Sequence, residues 1–93
     1  MPEFTVRVEL SDTENADYAL LTQRMLKEGF KKEIYGLKGK YILPLAEFNY
    51  QTETQNHREV IELAFSIAEK IALNPAILVT KVKNRAWKGL ERI

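Results

Sequence analysis

Hydrophobic periods of two and of about 3.6 follow one another along this chain in the order strand, helix, strand, strand, helix, strand. That order leaves few folds open. Phe4, Val6, Val8 and Leu10 alternate with Thr5, Arg7 and Glu9, the pattern of a half-buried strand. Two such strand–helix–strand halves close most simply as one sandwich, with a four-stranded antiparallel sheet carrying both helices on one face. The expected fold is therefore α+β, a ferredoxin-like βαββαβ sandwich. The first and third strands are expected at the centre of the sheet and the second and fourth at its edges. A chain of 93 residues has room for a single domain, residues 1–93, with 84–93 as a C-terminal tail.

Local signals place the elements. Ser11 and Glu14 have capping-box spacing ahead of a helix expected from about Ala16 to Glu28, with an apolar stripe of Tyr18, Leu21 and Met25. Gly29 suits the left-handed position after that helix. Lys31 to Leu37 reads as a short charged edge strand, and Gly36-Leu-Lys-Gly39 as the hairpin turn. The returning strand is expected over Tyr41 to Tyr50. Pro44 cannot donate to a ladder, so a bulge is expected there, or a strand that begins at about Leu45. Ala46, Phe48 and Tyr50 then share one face. Asn56 and Glu59 cap a second helix, His57 to Ala72, whose stripe is Val60, Ala64, Ile67 and Ile71. Asn74-Pro75 stops it. Ala76 to Lys83 is the last strand.

Composition excludes some functions. With no cysteine there are no disulfides, thiolate metal sites or cysteine nucleophiles. The N-terminal residues lack the pattern of a signal peptide, and no stretch reaches the roughly 18 apolar residues of a membrane span. A cytoplasmic protein with no membrane partner is expected. The net charge is only +1, but its distribution is uneven. Residues 3–17 balance at −4, whereas residues 24–40 and 81–93 each balance at +4. Such asymmetry bears on partners rather than on fold.

The expected topology turns this asymmetry into a surface. It gathers Lys27, Lys31, Lys32, His57, Arg58, Arg85 and Lys88 at one end, with Lys31, Lys32, Arg85 and Lys88 as the candidate RNA-phosphate contacts. The competing account is a solvated, charged end of a small domain. His57, the only histidine, is the one candidate general base for attack by a ribose hydroxyl. A histidine in the first turn of a helix is, however, more often a surface residue. Nothing near it in sequence completes a zinc site. Glu9 and Asp12 flank the end of the first strand; this resembles small CRISPR adaptation nucleases of the same topology, which carry a metal-binding Asp near that point, but the match is a single acid and Asp12 serves equally well as helix-start punctuation. Tyr41, Phe48 and Tyr50 invite a base-stacking reading, yet the period of Phe48 and Tyr50 fits the core as well. Trp87 is a candidate partner anchor or a cover for the open sheet face. No P-loop, dinucleotide fingerprint or nucleophile elbow is present, and no cofactor or metal is expected.

Several segments carry a resemblance: Phe4-Thr-Val-Arg-Val-Glu-Leu10, Gly29-Phe30, Gly39-Lys-Tyr-Ile-Leu-Pro44 leading into Ala46-Glu-Phe-Asn-Tyr50, and Ile77-Leu-Val-Thr80 with Ala86-Trp-Lys-Gly-Leu90. Across most of its length the chain resembles the GhoS-type antitoxin endoribonucleases of type V toxin–antitoxin systems. The resemblance implies a ferredoxin-like fold, kinship with the fold of small CRISPR nucleases, and selective cleavage of a toxin messenger RNA. No catalytic residue of that family maps onto these positions. The leading expectation is thus an RNA-interacting domain, with endoribonuclease activity implied by the resemblance alone. The alternative is a non-enzymatic module that homodimerises through an edge strand or the open sheet face, with Trp87 in the contact. A small-molecule sensor on the sheet face is a third reading without specific support.

Overall fold

The computed structural model describes residues 1–11 and 17–93. Its elements are β1 (Glu3–Glu9), α1 (Tyr18–Lys27), β2 (Glu33–Gly36), β3 (Gly39–Ile42), β4 (Glu47–Gln51), α2 (His57–Ala68) and β5 (Ala76–Lys81). The fold is α+β, with antiparallel pairing throughout. Strands β4, β1 and β5 form a three-stranded sheet in that order. The alternation in β1 does what it predicts: Phe4, Val6 and Val8 are buried, and the residues between them are not. Both helices cover that face, joining Leu21, Met25, Phe30, Phe48, Val60, Ala64 and Ala68 to it in one core. Each large apolar side chain fully buried there contributes about 1.5–3 kcal/mol.

Helix ends follow the local chemistry, with two departures. Asn56 and Glu59 form the expected capping box, and Glu59 N–H donates to Asn56 Oδ1 at 2.9 Å. Gly29, at φ 95°, ends α1 in a Schellman motif, with Phe30 N–H on Met25 O and Gly29 N–H on Leu26 O, both 3.1 Å. The cap of α1 is Asp17, whose Oδ1 accepts from Leu20 N–H at 2.9 Å. Ser11 instead donates its hydroxyl to Leu73 O at 2.8 Å, and Glu14 lies outside the described residues. Helix α2 ends at Ala68, short of the expected Ala72. The chain continues as a tightened turn in which Ile71 and Ala72 N–H both reach Ala68 O, at 3.0 and 3.1 Å. Ile71 still packs against the core, so the helical period outlasts the regular helix.

The single four-stranded sheet is replaced by the three-stranded sheet plus a two-stranded ribbon, β2–β3. The expected strand over Tyr41 to Tyr50 is split at Pro44. Leu43 N–H still donates to Lys32 O at 2.8 Å, which continues the ribbon ladder. An unbroken ladder would then place residue 44 opposite Lys31. Asn49 stands there instead, exchanging two 2.7 Å backbone bonds with Lys31. Residues 44–48 are thus extra, and Glu47 N–H closes a turn onto Pro44 O at 3.0 Å. Proline has no amide to offer the ladder, and the chain leaves the sheet where that amide is missing. The Lys31–Asn49 bridge is the backbone join between ribbon and sheet.

The tail, residues 84–93, returns across the face of the sheet turned away from the helices and reaches the free side of the ribbon. Ile42 N–H donates to Glu91 O and Ile93 N–H to Lys40 O, each at 2.9 Å. Ile34 and Leu43 are buried outside the main core and line a small cavity with Trp87 and Leu90. Ribbon and tail therefore share a second, smaller apolar contact. The indole lies directly on Gly36: a Cβ added there would sit 2.6 Å from Trp87 Cζ2 and 3.2 Å from Tyr41 Cε2. Gly36→Ala is expected to lift the tail and cost about 1–3 kcal/mol in urea unfolding. Trp87 is the only tryptophan, so its emission reports the change; a red shift is expected, and unchanged emission would refute the contact.

Candidate functional site

The structure divides the bases that were expected at one end. Lys32 turns inward. Its ammonium donates to the carbonyls of Pro44 at 2.6 Å, Glu47 at 2.7 Å and Leu45 at 3.2 Å, and lies 4.7 Å from the centre of the Phe48 ring. Burial lowers its pKa, opposed by the nearby Glu47 carboxylate. A lysine with three carbonyls around its ammonium is a structural cap for the 44–47 turn, not an open phosphate contact. Arg85 is likewise engaged: Nη2 donates to Thr5 Oγ1 at 2.8 Å and Asn49 Oδ1 at 3.0 Å. Asn49 is buried and donates onward to Glu3 Oε1 at 3.0 Å, so Arg85 pins the tail to the sheet.

Lys31 and Lys88 are exposed. Lys31 shares a groove with Glu33, Tyr35, Gln51 and Asn49, the last also an acceptor for Arg85. Lys27 lies elsewhere, on the helix side, in a groove with Arg24, Glu28, Ile67 and Lys70. His57 and Arg58 are exposed at the start of α2. Among the described residues His57 has no side-chain hydrogen bond, and no group of three or more potential metal ligands occurs. Glu9 is held by Arg7 through Nη2 at 2.6 Å and Nε at 3.0 Å, and Asp12 lies outside the described residues. The bond to Glu9 raises the Arg7 pKa above its ordinary value, and Glu47 adds a second contact at 3.2 Å.

The aromatics also separate. Phe48 is fully buried, and Tyr50 stacks on Phe30 with ring centres 4.3 Å apart and its hydroxyl on Gln55. Both belong to the core under the helices and are closed to base stacking. Tyr41 instead meets Trp87, at 5.3 Å and a 56° tilt. Together with Gly36, Leu37, Lys38, Arg85 and Ala86 they line an open concavity of about 440 Å³. Two aromatic rings and two bases converge there, and no lining residue is acidic. Sequence reading singles out Trp87 and Arg85 but misses Lys38 and the Tyr41–Trp87 pairing. The Gly36–Gly39 hairpin that carries Lys38 is legible locally; the approach of the tail to it is not.

Replacing Lys32 by Met keeps the apolar stem and removes the ammonium. The half-buried site should lose about 1–2 kcal/mol, read as a lower urea midpoint at unchanged slope. An unchanged midpoint would mean that water serves the three carbonyls equally well. No protein-family model, curated protein or solved structure matches this chain.

Proposed function

We propose that the protein is an RNA-interacting domain that takes single-stranded RNA on the tail side of its sheet. The observation that carries this reading is the concavity of Tyr41, Trp87, Lys38 and Arg85, with no carboxylate in its lining. Single-stranded nucleic acid is held by aromatic faces on which bases stack and by cations that follow the backbone. Lys88 follows Trp87 directly in the chain and is exposed, so a further base adjoins the rings. Such a surface works locally, which is why a net charge of +1 does not argue against it.

The fold reading that accompanies this proposal is a ferredoxin-like sandwich with an interrupted edge. What supports it is the Lys31–Asn49 bridge, which joins the start of the ribbon to β4. The sequence resemblance to GhoS-type antitoxins adds endoribonuclease action as the finer proposal. Binding and cleavage separate cleanly, because His57 lines none of the concavities around the tail.

Fluorescence anisotropy with a labelled single-stranded RNA tests binding. Affinity should fall with salt, by about 0.7 log units per log unit of salt for each phosphate contact. Lys38→Glu with Lys88→Glu should weaken binding at least tenfold at low salt and flatten that slope. Trp87 emission should quench on binding. No retention of RNA at about 50 mM salt would overturn the proposal. Incubation with a mixed RNA pool, with and without EDTA, followed by mapping of cut ends, decides cleavage; intact RNA bound with the predicted salt slope would retire the nuclease reading alone.

A further inference from the structure

Strand β5 is an edge of the three-stranded sheet. Val82 N–H donates inward to Glu3 O at 2.9 Å, which sets the phase of the strand. Even-numbered residues of β5 therefore turn their backbone groups toward β1, and Ile77, Val79 and Lys81 turn theirs outward. Among the described residues nothing pairs with that outward row. From Ala76 to Thr80 the strand carries no charge and no proline, the devices that usually blunt an edge.

The neighbouring helix extends the apolar strip. Helix α2 packs chiefly on β5, and its Ile67 and Lys70 side faces α1 across the groove with Arg24 and Lys27. The opposite shoulder, at helical spacing, holds Ile61 and Phe65, and so overhangs the free edge. Phe65 is 37% exposed, and Leu78 on the other face of the sheet is 63% exposed.

We infer that a second copy of this chain occupies this edge, with β5 antiparallel to its twin and a two-fold axis at Leu78. A dyad perpendicular to the sheet keeps the faces matched, so only residues of equal parity can pair. In this register Leu78 meets Leu78, both Ile77–Val79 pairs exchange outward N–H and C=O bonds, and Ala76 faces Thr80. Lys81 N–H finds the carbonyl of Pro75, which needs only to accept. The one charged side chain in the strand is thereby kept from its own copy. The two α2 helices run antiparallel across the axis. The alternative register centred on Val79 would set Lys81 against Ile77 beneath the helices, and it is disfavoured for that reason.

Sedimentation equilibrium from about 1 to 500 μM should show the 10.8 kDa chain doubling in mass. Leu78→Glu and Leu78→Lys, each like-charged against itself at the axis, should each weaken dimerisation at least tenfold, and mixing the two should restore a dimer. Amide exchange tests the same edge without mutation: Ile77 and Val79 should gain protection with concentration, whereas Leu78 and Thr80 are protected throughout. A monomer over the whole range would overturn the inference. So would a dimer that both Leu78 variants retain, or one whose Ile77 and Val79 amides stay unprotected.

Discussion

Three carbonyls without ladder partners, those of Pro44, Leu45 and Glu47, gather around one ammonium, that of Lys32. The returning chain must leave the sheet at Pro44 because proline brings no amide to the ladder. Leaving the sheet would strand carbonyls at the seam between ribbon and core, and unsatisfied polar groups there are costly. Lys32, just before β2, meets that need while its ammonium lies 4.7 Å from the centre of the Phe48 ring. The interruption is thus stabilised rather than merely tolerated, and the rest of the architecture follows from it.

With the ribbon released from the sheet, its inner face needs a cover. Ile34 and Leu43 are buried only because Trp87 and Leu90 return from the C-terminal tail to lie against them. Gly36 makes room for the indole, and Arg85 secures the crossing by bonding Thr5 and Asn49. The same crossing leaves an aromatic, basic hollow between tail and hairpin. The candidate site is therefore a by-product of how the fold closes over its own broken strand. The proposed RNA reading rests on its two aromatic rings and its bases.

Much of the local structure was legible in the residues. The alternation of β1, the Asn56–Glu59 box, the Gly29 terminator and the Gly36–Gly39 hairpin each depend on neighbours a few positions apart, where backbone geometry alone decides. Pro44 was legible as a disturbance but not in size, since whether a missing amide yields a bulge or a five-residue excursion depends on what can satisfy the freed carbonyls. The candidate site was less legible. Lys31, Lys32, Arg85 and Lys88 look alike as charges in sequence, yet two of the four are internal braces.

The sequence by itself determined the face β1 buries, the Gly29 end of α1, the capped start of α2 and the Gly36–Gly39 hairpin, because those follow from short-range periodicity and capping. Tertiary structure alone decided which lysine is a cap, which arginine is a pin, and that Trp87 closes on Gly36 and Tyr41. Those roles are set by partners far along the chain, Thr5 and Arg85 being 80 residues apart. Only the packed fold brings such groups within hydrogen-bond reach, and local propensity carries no record of which ones will meet.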